Sequence, residues 1–187
     1  MTPPSANAVP PAAALQADVT DCDILAANPP DPDRVVKGVP RTEVDLPRAI
    51  AACRAAVADR PDVARFSYQL GRCLFYAGQT EEAMATFKRA AELGYRQAHF
   101  IIAYIRYKQS SGVPFDLKEI EYHWRQASRL DHFNAQVAYV TMAVRGDFKG
   151  LPDTADKAEM RSFVEKARPH VTFAGDLLIE NLLAALK

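Results

Sequence analysis

The chain has 187 residues, of which 49% are hydrophobic and 25% charged, enough to bury a sizeable core within one domain. Its 23 basic and 23 acidic side chains cancel, which argues against a nucleic-acid or anionic-membrane partner recruited by overall charge. No apolar run approaches the roughly 20 residues that span a bilayer, so no membrane partner is expected.

The first stretch, Met1 to Ala17, is rich in Pro and Ala and carries no charged side chain. Pro3, Pro4, Pro10 and Pro11 interrupt the continuous apolar core that a signal peptide needs. Residues 1–19 therefore read as a flexible segment, and residues 20–187 as the folded domain. Two compartments fit: the cytoplasm, or a periplasmic or other extracytoplasmic space if a signal peptide has been removed.

A short helix is expected over Thr20 to Ala27, capped by Asp18 or Thr20. Pro29, Pro30 and Pro32 then remove amide donors and force an extended loop, which runs to about Val44. From Asp45 the helical pattern is strong. Pro47 suits a first turn, and Ala49, Ile50, Cys53, Ala56 and Val57 recur at three- and four-residue spacing. Pro61 stops that helix and Asp62 is placed to cap the next, in which Phe66, Leu70, Cys73 and Leu74 share a stripe. Gly78 closes it. Thr80, Glu81 and Glu82 open its partner, with acids at the positive end of the helix dipole, and Gly94 ends the hairpin.

Further helices are expected over Arg96–Gln109, Leu117–Leu130, Asn134–Arg145, Thr154–Arg168 and Phe173–Leu186, separated by turns at Ser110–Pro114 and Gly146–Asp153 and by Pro169. No segment alternates with period two. The fold class is all-α.

The odd count of three cysteines, Cys22, Cys53 and Cys73, argues against a dense disulfide framework, and they form no CxxC pair. Cys53 and Cys73 fall on apolar helix faces, where Cys acts as a small hydrophobe. Cys22 opens the folded region: it either anchors that start to Cys53 by a disulfide, in an oxidising compartment, or stays a thiol in a reducing one. His99, His123, His132 and His170 are scattered, form no HExxH or close Cys pair, and give no metal site. His123, beside Trp124, reads as a surface or half-buried residue. GxGxxG, GxxxxGK[ST] and GxSxG are absent, so no enzyme and no cofactor is expected.

The pattern repeats. Ala49, Cys53 and Ala56 recur 34 residues later as Ala83, Phe87 and Ala90; Phe87, Ala90 and Leu93 recur 37 later as Trp124, Ala127 and Leu130. Gly112-Val-Pro114 recurs 38 later as Gly150-Leu-Pro152, and Ala127 recurs 40 later as Ala167. Small residues at such positions let two helices approach to about 8–10 Å, and the aromatic residue fills the space between hairpins.

Leu70-Gly71, Gly78, Ala83, Phe87, Lys88-Arg-Ala-Ala-Glu-Leu-Gly94 and Ala98 resemble tetratricopeptide repeats. Gly112-Val-Pro114 with Asp116, and Trp124-Arg-Gln-Ala127, resemble their Sel-one-like relatives, and the resemblance covers about Asp45 to Arg168. Cys22-Asp-x-Leu-Ala-Ala, followed by Asp31-Pro-Asp-Arg34, is similar to the lead-in of bacterial Sel-one-like proteins, some of them exported. Ala103 and Val140 stand where the family favours glycine, Ile102 and Tyr139 replace its leucine, and Met160 replaces a small Ala, which should splay the third hairpin.

The resemblance implies a right-handed superhelix of about three helical hairpins, with a half-repeat and a C-terminal helix. It implies no catalysis, and a scaffold or adaptor that holds a protein or peptide in its concave surface. The first helix of each hairpin would line that surface, giving Arg65, Tyr68, Arg72, Tyr76, Phe100, Tyr104, Tyr107, Lys108, Thr141 and Arg145 as binding residues. These side chains are mostly aromatic and cationic, so an acidic partner segment is expected. The alternative is a regulatory or structural segment of a larger protein. Its apolar last helix, with Leu177, Leu178, Leu182, Leu183 and Leu186, would then pack on a neighbouring domain or a second copy.

Overall fold

The computed structural model describes residues 19–187; the flexible segment expected over residues 1–19 lies, but for its last residue, outside them. Nine α-helices and no strand occur among the described residues: α1 Asp21–Ala26, α2 Leu46–Asp59, α3 Ala64–Tyr76, α4 Thr80–Glu92, α5 Arg96–Lys108, α6 Leu117–Arg129, α7 Phe133–Arg145, α8 Lys157–Ala167 and α9 Phe173–Ala185. Each packs against the next in sequence. α3/α4, α5/α6 and α7/α8 are the three hairpins, α2 is the half-repeat, and α9 lies on α7 and α8. The fold is a helical repeat solenoid.

Local chemistry sets most boundaries. Asp45 accepts from the Arg48 amide at the start of α2, and Asp116 from the Lys118 and Glu119 amides at the start of α6. Two expectations need correction. α3 has Val63, not Asp62, at its cap position, with no side-chain cap. α8 begins at Lys157, not Thr154, because Asp156 takes the cap and accepts from the Glu159 amide at 2.8 Å.

The core has two contiguous parts, one under α1–α5 and one under α5–α9. Ala83, Phe87 and Ala90 are buried in the first, Trp124, Ala127 and Ala167 in the second. Gly71 shows why the α3/α4 contact is close. A Cβ there would lie 2.7 Å from the Phe87 ring, so the ring rests directly on the α3 backbone. α7 and α8 pack less extensively than the first two hairpins, with Met160 half-buried between them.

The second helices are joined by ion pairs, Arg54–Glu82 from α2 to α4, Lys88–Glu119 from α4 to α6 and Arg129–Glu159 from α6 to α8. Each involves a basic residue and an acid in the first turn of the following second helix. Exposed pairs of this kind contribute at most about 1 kcal/mol each, so they adjust register more than stability.

At the N-terminal end, α1 packs on α2 and α3. Cys22 and Cys53 are joined by a disulfide that ties α1 to α2. Cys73 is a buried free thiol, its pKa pushed up to about 11 by burial.

Candidate functional site

The first helices α3, α5 and α7 adjoin through side chains. Tyr68 of α3 meets Tyr95 at the start of α5 with ring centroids 5.3 Å apart, and Phe100 of α5 stacks on His132, which caps α7, at 4.4 Å. His132 also bonds Gln97 of α5 at 2.8 Å, and burial lowers its pKa to about 4.

The chain's own lead-in covers part of this wall. Asp23 is fully buried in α1 and accepts from Arg65 Nε and Gln69 Nε2, both at 3.0 Å. Arg72 donates to the carbonyls of Ala26, Ala27 and Val39, holding both ends of the 27–39 loop. The Val39 amide closes that loop onto the Ala27 carbonyl at 2.8 Å, and Gly38 lies so near Pro29 that a Cβ would meet its nitrogen at 2.3 Å. Asn28 donates to the Tyr68 hydroxyl at 2.7 Å. Farther along, Asp31 accepts from the Tyr95 hydroxyl at 2.7 Å, and Asp33 pairs with Arg96. Burial raises Asp31 to about 6, and Tyr68 and Tyr95 are pushed well above their ordinary range by the same cause.

This arrangement corrects the expected surface. Arg65, Tyr68 and Arg72 lie on α3 as foreseen, but they are buried beneath residues 20–40 rather than presented to solvent. A long-range contact of this kind leaves no periodic trace in the sequence.

Beside the lead-in the wall stays open. A cleft of about 240 Å³ is lined by α3, α5 and the loops at residues 28 and 41. Its apolar floor is Phe75, Phe87, Ile101 and Ile105; Arg41, Tyr76 and Tyr104 form its rim, and the buried Arg72 guanidinium lies in its wall. The Arg41 guanidinium lies 4.7 Å from the Tyr76 ring centre. Arg41 was missed by sequence reasoning because it sits in a short 3-10 turn, Arg41–Glu43, outside any repeat.

The other expected residues are distributed along the wall. Tyr104 is 43% exposed and packs loosely on the half-buried Phe100, at 6.0 Å. Tyr107 is exposed at its edge and rests on Trp124, 5.4 Å away. Lys108 is exposed at the end of α5. On α7, Thr141 bonds back to the Val137 carbonyl, and Arg145 is exposed beside Asp147 at 3.4 Å. Tyr76, Phe100, Tyr104 and Thr141 thus keep accessible surface, while Arg145 has an acidic neighbour.

A second cleft, of about 490 Å³, lies between α4, α5 and α6. His99 and His123 meet there through their Nδ1 atoms at 2.8 Å, one ring donating to the other. Both are buried, so His123 is neither the surface nor the half-buried residue expected beside Trp124. Burial lowers both pKa values, His123 to about 3, and His99 donates to the Ala91 backbone. Among the described residues no three His, Cys, Asp or Glu side chains converge as a metal site.

Residues 43–100 match the tetratricopeptide repeat family model, a stretch that runs from the 3-10 turn through α2, α3 and α4 into α5. Repeats of this family generally mediate protein–protein interaction and are typically without catalytic activity. No curated protein matches the chain.

Proposed function

We propose that this tetratricopeptide-repeat protein is a non-enzymatic adaptor that holds an acidic protein or peptide segment against the open wall of α3, α5 and α7. The reading rests chiefly on one observation: half-covered by the chain's own lead-in, the wall still presents a cleft edged by Arg41, Tyr76 and Tyr104, with the buried Arg72 in its wall. Large aromatic and guanidinium groups are the side chains that dominate protein interfaces. The occupied half supports the same chemistry, since there the wall holds three carboxylates, Asp23 on Arg65, Asp31 on Tyr95 and Asp33 on Arg96. We take the later hairpins, with their longer period, as Sel-one-like. The Cys22–Cys53 disulfide supports residence in an oxidising compartment.

Affinity capture from native extract, comparing wild type with Tyr104→Ala/Lys108→Glu, tests this reading. Both residues are exposed, so the variant should fold normally and lose at least tenfold of the captured partner. Equal recovery would remove the wall from consideration.

One observation favours a second reading, association through the last helix. Leu177 is 67% exposed and Leu178 is also open to solvent, although solenoid ends normally carry polar caps. Light scattering distinguishes the two: a Leu177→Glu-sensitive dimer supports self-association, and a monomer at every concentration opposes it.

A further inference from the structure

Arg72 is 3% exposed, and every partner it has is neutral: the carbonyls of Ala26, Ala27 and Val39, and the Tyr76 hydroxyl. Those four bonds leave one of the five guanidinium N–H donors unused. Among the described residues, no carboxylate lies within ion-pair distance of Arg72 or of Arg41. Buried charges are ordinarily compensated, because removing an ion from water is costly without an opposite charge. The carbonyls hold the guanidinium in place but leave its charge standing at the cleft.

Arg41 adds a second cation at the same place. Its guanidinium and that of Arg72 lie 4.7 Å and 5.0 Å from the centre of the same Tyr76 ring. Behind them the floor of Phe75, Phe87, Ile101 and Ile105 is apolar, and no acidic residue lines the cleft. A ligand that suits both parts must join an anion to a hydrophobic group over a short distance.

Building on the reading of this wall as a protein-binding surface, we infer that the cleft takes a partner segment in which an apolar side chain sits directly beside a carboxylate. The carboxylate meets Arg41 and Arg72, and the apolar side chain rests on Ile101, Ile105 and Phe75. Tyr104 closes over it from α5. Neutral or basic segments are rejected because they leave the two guanidiniums uncompensated.

The test is an amide-detected NMR titration of the oxidised, full-length chain with three blocked heptapeptides. These are Gly-Ser-Asp-Phe-Asp-Ser-Gly and its Asn-Phe-Asn and Asp-Ala-Asp counterparts. The Asp-Phe-Asp peptide should shift the amides of Arg41, Tyr76, Ile101 and Tyr104. Each counterpart should bind at least tenfold more weakly, and Arg41→Glu should weaken the first peptide to the same degree while leaving amides distant from the cleft in place. Equal binding of the Asn-Phe-Asn or Asp-Ala-Asp peptide overturns the inference, as does the absence of any shift. Shifts confined to α7, around Thr141, also overturn it but leave the wider wall as an interaction surface. Failure of that wider reading shows separately, as undiminished capture by Tyr104→Ala/Lys108→Glu.

Discussion

Asp31 is a carboxylate held in a buried site with a pKa of about 6, against 3.8 in the open chain. Desolvation is the main cause, partly offset by the Asp33 amide and the Tyr95 hydroxyl, which favour the ion. Because the folded value is the higher one, the stabilisation from its proton is complete below pH 3.8 and disappears as the pH rises through about 6. A shift of that size corresponds to on the order of 3 kcal/mol between pH 4 and 7. The buried histidines act oppositely. His123 and His132, lowered to about 3 and 4, lose stabilisation as pH falls from 6.5. Urea unfolding of wild type alone would mix the two, so the comparison is with Asp31→Asn. The variant should gain stability relative to wild type at pH 7 and lose that advantage at pH 4; a constant difference across the range would contradict the buried carboxylate. None of this is legible in the sequence, since Tyr95 lies 64 residues from Asp31.

At the scale of elements, legibility was high because the punctuation is local. Pro61, Gly78, Gly94 and Gly146 break helices by backbone chemistry that needs no tertiary partner. Small residues at Ala83 and Ala90 with Phe87 between them announce a close helix pair, and the ring does rest on Gly71. α8 starts at Lys157 rather than Thr154 because Asp156 supplies the cap to the Glu159 amide. Phe87 is 1% exposed, at the meeting point of α3, α4 and the Tyr68 ring 5.8 Å away. Phe87→Ala should therefore cost ~3–5 kcal/mol in chemical denaturation, the range for an aromatic deleted from a core. A loss under about 1 kcal/mol would mean that the hairpins do not share this ring as their joint.

For the molecule as a whole, the unexpected feature is that the chain occupies part of its own wall. The lead-in is tied by the Cys22–Cys53 bond, by Arg65 on Asp23, by Arg72 on the 27–39 loop, and by Asn28, Asp31 and Asp33 on Tyr68, Tyr95 and Arg96. The bond closes a sequence separation of 31 residues, for which chain entropy gives ~3–4 kcal/mol. Cys22→Ser/Cys53→Ser should lower the unfolding free energy by about that amount and speed amide exchange in α1 first; unchanged exchange there would show that the other ties suffice. Repetition made the solenoid legible, yet the lead-in carries no repeat. The residues chosen from family likeness thus fell on both the covered and the open parts of the wall.

Site-specific photocrosslinking in native cells measures the use of that wall most directly. A benzoyl-phenylalanine replaces Tyr104 on the open wall, or Tyr122, which is somewhat more exposed and lines the second cleft between α4, α5 and α6. A wall that binds a partner yields a discrete adduct from position 104 and none from 122. Adducts from 122 alone, or from neither position, would contradict it.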